Sequence, residues 1–333
     1  MTFRWGIIGA GIIADNRMAP AINAGPTSEL VAVHARRRDK VEAFAQRHGA
    51  PRVYDQVEDL VQDADVDGVY IASPNSLHAE QTILAARHGK HVLCEKPMAM
   101  SPAECDRMIE ACEKNGVKLM IAFMMRFHAC HQKARQLAAD GFLGQVVLAN
   151  ATCPFYLPDM TRTWRYEPQV SAGGVVMDVA VHLIDSLHYM LDAEITGVQA
   201  ALNHAPDVYP CEGTASLLLD FKGGGQGVVT VSFDAPYGES AFQLHGSTGS
   251  VFVTGSFGQD PTGTFLTASA AGRTEQPIQP VNQYVAQAEH FVSCVANDRR
   301  PMIDGLEGKR NLEIALGAYE SFATGRKINI TSA

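Results

Sequence analysis

The sequence lacks the features of disulfide-rich and nucleic-acid-binding proteins. Its seven cysteines are an odd number without regular spacing, which argues against a disulfide framework and favours reduced, buried thiols. Basic residues are in deficit, with 27 lysines and arginines against 36 aspartates and glutamates, so the net charge is -9. A chain of this charge repels phosphate backbones and anionic membranes, and we expect no nucleic-acid partner.

Long apolar runs and a secretory signal are also lacking. No segment reaches the ~18 uninterrupted apolar residues of a membrane helix. The stretch from Met1 to Trp5 leads into a strand-like segment without the basic region and cleavage site of a signal peptide. We therefore expect a cytoplasmic protein with no membrane partner.

What is present is the composition of an ordinary globular chain. The 333 residues are 46% hydrophobic and 19% charged, far from the polar profile of disordered proteins. Because this length exceeds what one hydrophobic core usually organises, we expect two domains.

The first third alternates β-rich runs with helical patterns, which is typical of a parallel sheet covered by helices on both faces. The predicted strands are Arg4 to Ile8, Leu30 to Ala35, Gly68 to Ala72, His91 to Cys94 and Lys118 to Ala122. The predicted helices are Val41 to His48, Ala79 to His88 and Pro102 to Asn115. This pattern predicts a doubly wound α/β domain over residues 1–122.

Beyond this point the pattern is that of an α+β domain, predicted over residues 123–333. A strongly apolar helix, Val175 to Leu191, is followed by strand-like runs whose short connections favour an antiparallel or mixed sheet. The predicted runs are Thr214 to Phe221, Gln226 to Phe233, Ser240 to His245 and Ser250 to Thr254, after a strand at Gln145 to Ala151. Two closing helices, Tyr284 to Ala296 and Leu306 to Phe322, are long enough to pack back on either domain.

A glycine-rich turn follows the first predicted strand, with the sequence Gly9-Ala10-Gly11-Ile12-Ile13-Ala14. In dinucleotide-binding folds the first glycine allows the tight turn, and the second lets the backbone approach the pyrophosphate at the positive end of the next helix. A merely structural turn is the alternative. The position at the start of a strand–helix series favours a dinucleotide site.

The end of the second strand indicates which dinucleotide binds. An acidic residue there would bind the ribose 2'-hydroxyl and repel a 2'-phosphate. Ala35 is instead followed by three arginines, Arg36 to Arg38, whose guanidiniums suit a phosphate. NADP is therefore favoured, with NAD possible; the alternative is a solvated basic start to the next helix.

Lys96 lies just past the fourth predicted strand, at the sheet edge where ligands bind in open α/β folds. Its ammonium could stabilise the negative charge that develops on a substrate oxygen as hydride moves, and exchange a proton with it. Pro97 would stiffen the turn. An exposed lysine in an ordinary turn is the alternative.

Asp178 and His182 lie four residues apart in the apolar helix that follows Gly173 and Gly174. This spacing puts both side chains on one helix face, so the carboxylate could orient a histidine that acts as acid or base. Taken alone, such a pair is more often an ordinary surface pair.

The order of these motifs resembles the Gfo/Idh/MocA oxidoreductase family. The likeness covers nearly the whole chain and includes the highly specific stretch from Gly89 to Pro97. It implies a Rossmann domain that binds NAD(P), and a C-terminal domain whose large open sheet forms the substrate floor and often a dimer interface. It also implies sugar or polyol substrates and a catalytic set of Lys96, Asp178 and His182. We expect a homodimer or homotetramer.

The resemblance adds cofactor contacts to those expected from the glycine-rich turn and the arginines. The full expected set is Gly9, Gly11, Ile12, Ile13, Arg36, Arg37, Ser73, Asn75, His78, Glu95, Lys96, Arg126, Trp164 and Arg165. The loop from Tyr156 to Arg165 is similar to that of a ketosugar-reducing subgroup, in which the tryptophan and arginine line the pocket. Arg126 could instead be a surface salt-bridge donor.

The sequence thus predicts an NADP-dependent oxidoreductase that moves a hydride to or from a sugar or polyol, with a ketosugar reductase favoured. Aldose, inositol and trans-dihydrodiol dehydrogenases are alternatives, as is a regulator that binds NAD(P) without turnover. A regulator needs neither the strand-end lysine nor the Asp-x-x-x-His helix, so an enzyme is favoured. We expect no metal, since the cluster at His128, Cys130 and His131 lacks a second pair at zinc-like spacing.

Overall fold

The computed structural model describes residues 2–157, 164, 167–204 and 210–331. The chain divides into two units: the first is Met1–Met124 with Tyr284–Lys309, and the second is Met125–Gln283 with Arg310–Ala333. The sequence leaves open which unit the closing helices join. The structure assigns residues 284–309 to the first.

The first unit contains a six-stranded parallel sheet in the order β3-β2-β1-β4-β5-β6. Its strands are β1 Phe3–Ile8, β2 Ser28–His34, β3 Arg52–Tyr54, β4 Gly68–Ile71, β5 His91–Cys94 and β6 Leu119–Ile121. The helices are α1 Ala19–Ala24, α2 Arg38–His48, α3 Val57–Gln62, α4 His78–Arg87 and α5 Pro102–Lys114. This strand order is that of the doubly wound dinucleotide-binding fold, and it confirms the predicted class.

The central strands are apolar along their whole length because helices cover both faces of the sheet. Every residue of β4 is buried, as are four consecutive residues at the end of β1. Local signals place the helices: the Ser101 hydroxyl accepts the amide of Glu104 at 3.3 Å, and Pro102 occupies the first turn of α5.

A later segment of the chain completes the first unit. Helix α9, Gln283–Ala296, places Phe291 with its ring centre 5.4 Å from that of Trp5 and 6.1 Å from that of Phe3. The carbonyl of Ile303 accepts the amide of Ile121 at 2.9 Å. The segment around Ile303 therefore covers part of the edge of β6. Both Trp5 and Phe291 are fully buried.

The second unit contains a nine-stranded mixed sheet in the order β14-β13-β12-β11-β7-β10-β9-β8-β15. Its strands are β7 Val146–Pro154, β8 Ile195–His204, β9 Glu212–Phe221, β10 Gln226–Ser232, β11 Ala241–Gly246, β12 Gly249–Thr254, β13 Thr264–Ser269, β14 Gly272–Gln276 and β15 Ile328–Asn329. The β7–β10 pair is parallel and the others are antiparallel, as predicted for a mixed sheet.

Among the described residues, the helices that lie wholly or mostly in this second unit are α6 Ala129–Ala139, α7 Pro168–Ser171, α8 Val181–Leu191 and α10 Gly305–Thr324. The stretch Pro168–Leu191 is long and apolar enough to cross a membrane by length and composition, although the sequence analysis expected no such segment. However, 78% of its most apolar window is buried inside the protein. It is therefore a core helix, packed against α6 and the sheet.

Candidate cofactor and catalytic sites

The glycine-rich turn joins β1 to a helix that begins as a π-helical turn, Ala14–Met18, and continues as α1. Gly9 has a φ of 97°, and its amide donates to the carbonyl of His34 at 3.0 Å. A Cβ at Gly9 would lie 2.7 Å from backbone atoms of Ala72 and Ser73. The positive φ and this close approach both require glycine.

Gly11 stands in open space. A Cβ there would meet only the carbonyl oxygen of Ala72, at 3.8 Å, which is an ordinary van der Waals contact. Gly11 and the neighbouring Ile12 are exposed where the helix begins. The fold itself does not need glycine at this position, and the free space over the backbone fits the close approach of a pyrophosphate.

The two glycines therefore predict different outcomes when each is replaced by alanine. Gly9→Ala combines a left-handed backbone, which costs about 1–2 kcal/mol for a residue with a Cβ, with a clash against backbone. We expect it to melt well below the wild type. Gly11→Ala should melt as the wild type does and lose affinity only for the dinucleotide. Thermal melts and cofactor titrations check this, and equal melting temperatures for the two variants would contradict it.

The end of β2 presents three guanidiniums with different surroundings. Arg37 pairs with Asp39 at 2.6 Å, and Arg38 pairs with Glu42 at 2.6 Å. Arg36 is exposed and has no carboxylate partner within the described part of the chain. Arg36 is therefore the guanidinium that can bind a phosphate without breaking an existing ion pair.

The turn after β4 holds Ser73 and Asn75, which are both nearly buried. The Ser73 hydroxyl donates to the side-chain oxygen of Gln81 at 2.6 Å, which fixes its orientation. The carboxyl ends of β1, β4 and β5 are neighbours in the sheet, so this turn lies between the glycine-rich turn and Lys96.

His78, for which the resemblance implied a cofactor contact, is enclosed by the protein. The ring is 0% exposed, with Nδ1 at 2.9 Å from the Pro97 carbonyl and Nε2 at 3.0 Å from the Ser73 carbonyl. Burial lowers the pKa of His78, so the ring is neutral at neutral pH and donates to one carbonyl at a time. The enclosed ring joins the two turns, and a contact of His78 with the cofactor stays a prediction.

Lys96 lies just past β5 and is half-buried. Its backbone amide donates to the Glu95 carboxylate at 3.3 Å, and the same carboxylate accepts the hydroxyl of Tyr70. Burial, followed by the charge of Glu95, raises the pKa of Tyr70 well above its usual range, so the hydroxyl stays a donor. Tyr70 is a site residue that the sequence analysis missed, because it reads as one more apolar residue of a buried strand.

In the second unit, the helix that carries Asp178 and His182 has two parts. A π-helical turn, Val176–Ala180, contains Asp178, and α8 begins at the next residue, so His182 is in its first turn. The sequence predicts a uniform α-helix. A π turn is wider than an α turn and is frequent at functional sites, so it changes the relative direction of the two side chains.

Asp178 and His182 are both half-buried within an apolar helix. Asp178 lies close to Cys153 of β7, where burial, followed by the charge of this carboxylate, raises the pKa of the thiol to about 12. The pair thus combines partial access with apolar neighbours, as acid–base catalysis requires.

Arg126 lies in a buried ion pair. Its Nη2 is 2.7 Å and its Nε 3.0 Å from Oδ1 of Asp185, and the two side chains are 5% and 1% exposed. Asp185 lies one turn after His182 on α8. The structure gives Arg126 a structural task, and its contact with a cofactor stays a prediction.

The remaining predicted residues lie in the loop before Gly173 and in the histidine cluster. Trp164 is half-buried, and Arg165 lies outside the described residues. His131 is fully buried, with its ring centre 5.1 Å from that of Phe242 and 5.0 Å from that of Phe257. No group of three or more metal-ligating side chains forms among the residues that the structure describes, and His131 is a core residue.

Comparisons with known proteins cover both units. The family model described as "Oxidoreductase family, NAD-binding Rossmann fold" matches residues 3–123. The model described as "GFO/IDH/MocA C-terminal domain" matches residues 131–252.

Similar proteins include sugar oxidoreductases. The chain is 33% identical to the 1,5-anhydro-D-fructose reductase of Ensifer adhaerens, over 98% of each chain. It is 32% identical to a D-xylose 1-dehydrogenase (NADP(+)) of Haloferax volcanii, over 98% of this chain and 99% of the relative. Among solved structures, the aldose-aldose oxidoreductase of Caulobacter crescentus matches with a TM-score of 0.92 and 28% identity, over 99% of this chain and 100% of that one.

Proposed function

The chain belongs to the Gfo/Idh/MocA oxidoreductase family, whose members act on sugar or polyol CH-OH groups with NAD(P), and we propose that this enzyme uses NADP to reduce a ketosugar. The family and its general chemistry follow from matches over both units. The preference for NADP, the ketosugar and the roles of individual residues are the proposal.

One observation carries the proposal. The glycine-rich turn, the Ser73 turn and Lys96 follow three adjacent strands, β1, β4 and β5, and therefore share one edge of the first sheet. This edge is where open α/β sheets bind nucleotides. Lys96 places a half-buried ammonium at that edge, and a reacting carbonyl beside a nicotinamide needs a cation.

The cofactor, when bound, supplies the hydride. Lys96 binds the substrate carbonyl oxygen and stabilises the negative charge that develops on it. His182 donates the proton that converts this oxygen into a hydroxyl, and Asp178 orients the imidazole or binds a neighbouring hydroxyl. Glu95, whose carboxylate also holds the amide of Lys96, lies on the nicotinamide side in this proposal.

The ketosugar assignment is supported by the 33% identity with the anhydrofructose reductase over almost the full length of both chains. The nearly equal identity with a xylose dehydrogenase favours oxidation of an aldose as the second candidate. Both substrates carry several hydroxyls around the reacting carbon, so the same residues could serve either direction.

The test is a panel of substrates in both directions. Purified enzyme with NADPH is given 1,5-anhydro-D-fructose and other ketosugars, and enzyme with NADP is given D-xylose, inositols and a trans-dihydrodiol. We expect the fastest turnover with a ketosugar and NADPH. Faster reduction of NADP by an aldose favours the second candidate, and no turnover with any compound despite cofactor binding would reject the proposal.

Arg36 provides the test of cofactor preference. Because Arg37 and Arg38 already have carboxylate partners, we expect Arg36 to bind the 2'-phosphate. Arg36→Ala should weaken NADPH binding by about 10- to 100-fold, the value of a hydrogen bond to a charged group, and leave NADH binding unchanged. Arg38→Ala is the matched control and should have little effect. Equal losses for NADPH and NADH would contradict the assignment.

The remaining parts of the proposal concern surroundings and assembly. We propose a cytoplasmic homodimer or homotetramer without nucleic-acid or membrane partners. The net charge of -9 supports the absence of nucleic-acid and membrane partners, because it opposes association with anionic surfaces.

A further inference from the structure

Glu212, at the start of β9, is a buried carboxylate that the proposed mechanism does not use. It is 2% exposed. Its Oε1 accepts the backbone amides of Gly174 and Val176, both at 3.0 Å, and the hydroxyl of Tyr319 at 2.7 Å. Its Oε2 lies 3.1 Å from the Gly174 amide. These amides belong to the start of the helix that carries Asp178 and His182.

The same two residues explain the pair of glycines before this helix. A Cβ on Gly173 would lie 1.9 Å from the Tyr319 hydroxyl oxygen, and Gly173 also has a φ of 154°. A Cβ on Gly174 would lie 2.2 Å from the carbonyl oxygen of Glu212. Glycine at both positions lets the chain pass directly over Glu212 and Tyr319.

We propose that Glu212 and Tyr319 are positioning residues for Asp178 and His182. The first amides of a helix have no partners within the helix, and a carboxylate that accepts them fixes where the helix begins. Here that point is the entry to the π turn, so Glu212 sets the direction in which the Asp178 side chain leaves the backbone. The negative charge also lies at the positive end of the helix dipole, which strengthens the contact.

A second contact from α10 holds the other end of the π turn. The Asn311 side-chain amide donates to the carbonyl of Val181 at 2.9 Å, and Asn311 is 5% exposed. Val181 directly precedes His182. The π turn is therefore fixed on both sides, by Tyr319 through Glu212 and by Asn311.

Tyr319 can hold Glu212 because its hydroxyl stays protonated and so can donate a hydrogen bond. Burial, followed by the charge of Glu212, raises the pKa of Tyr319 well above its usual range. Its hydroxyl therefore remains a donor to the carboxylate at neutral pH.

The inference rests on the proposed function, and variants of both residues test it. Glu212→Ala should lower kcat by about 10²-fold, as a small displacement of catalytic groups does. Tyr319→Phe, which keeps the ring and loses one donor, should lower kcat by about tenfold. Glu212→Gln should retain part of the activity, because its amide oxygen can still accept the contacts made by Oε1 while its NH2 group cannot replace Oε2 at the Gly174 amide. In all three, the Kd for NADPH should stay within about twofold of the wild type, since these contacts belong to the second unit and the glycine-rich turn belongs to the first.

Ser321→Ala is the matched control. Ser321 lies on the same helix as Tyr319, is 1% exposed, and accepts the amide of Ala200 at 3.1 Å. It should lower the melting temperature about as much as Tyr319→Phe and leave kcat unchanged. If Tyr319→Phe and Glu212→Ala reduce kcat no more than Ser321→Ala does, or if kcat falls only in parallel with NADPH affinity, the inference is overturned.

A readout without turnover separates this inference from the proposed function. The imidazole resonances of His182, followed by NMR during a pH titration, should shift in Tyr319→Phe and stay in place in Ser321→Ala. If the wild type turns over no sugar, the proposed function fails, and these resonances alone then decide the inference. Unchanged His182 resonances in Tyr319→Phe would overturn it.

Discussion

Lys96→Met is expected to lower kcat by about 10³-fold or more, within the range that acid–base and electrostatic groups contribute, while NADPH should still bind. Methionine keeps the length and apolar stem of lysine, so the half-buried position stays filled. The contacts that form the turn, from the Lys96 amide to Glu95 and from His78 to Pro97, involve backbone atoms that the substitution retains. Single-turnover kinetics and cofactor titration measure the two effects separately.

Lys90→Met is the matched control for this experiment. Lys90 precedes the strand that Lys96 follows, so the two lysines lie at opposite ends of β5. The Lys90 ammonium donates to the carbonyls of Asp63 and Val66, both at 2.7 Å, and its loss should lower stability with kcat near the wild-type value. A similar fall in kcat for both variants would show that Lys96 acts only through the fold.

The double variant Lys96→Met with His182→Asn tests whether both residues serve one step. Groups that act together on one oxygen have strongly non-additive effects, because the step is already lost when either is removed. We expect the double variant to be little slower than the slower single variant. If the double variant is instead slower by the product of the two single effects, the two residues serve different steps.

Arg126→Met should destabilise the protein by about 3–5 kcal/mol, the cost of leaving a buried charge without its partner. Asp185 is 1% exposed and takes hydrogen bonds from two nitrogens of Arg126, so water cannot replace the guanidinium. The melting temperature should fall by about 10 °C or more. Adding Asp185→Leu should restore part of the loss, because it removes the uncompensated carboxylate.

Arg135→Met is the control for the buried pair. Arg126 and Arg135 both stack on the ring of Tyr189, at 5.3 and 4.7 Å from its centre. Arg135, however, is 38% exposed and pairs with an exposed Asp192, so its loss should cost less than about 1 kcal/mol. A loss for Arg126→Met as small as that for Arg135→Met would contradict the buried-pair argument.

The sequence predicted the first sheet well because its central strands are buried on both faces. β4 and all but the first residue of β5 are buried, and turns bound both strands, so each appears in the sequence as a short, mostly apolar run. The short strand β3, Arg52–Tyr54, was not predicted, because its three half-buried residues show no alternation of apolar and polar side chains.

The sequence analysis missed those strands of the second sheet whose residues do not favour strand formation. β8 contains Gly197 and two alanines, which are poor strand formers, and it is held by pairing with β9 along nearly its whole length. β14 has an exposed, polar sequence, and only its pairing with β13 makes it a strand. Pairing of this kind depends on contacts that no local pattern contains.

The candidate site was predicted at the level of residue types and missed at the level of geometry. Gly9, Gly11 and Lys96 follow from strand ends, which a sequence reveals. The π turn around Asp178 does not, because the same local sequence can form either α-helical hydrogen bonds, from i to i+4, or π-helical ones, from i to i+5. The enclosure of His78 and the ion pair of Arg126 depend on partners 19 and 59 residues away.

The return of residues 284–309 to the first unit affects how the protein is made. During synthesis the ribosome delivers β1 to β6 long before Phe291, whose ring completes the cover over Phe3 and Trp5. Until then, a nascent nucleotide-binding unit exposes two aromatic rings and the edge of β6, so it is open to chaperones and to misassociation. The second unit, which lies between these segments in the chain, can form most of its sheet first. The nucleotide-binding unit is therefore first to be synthesised and among the last parts to be finished.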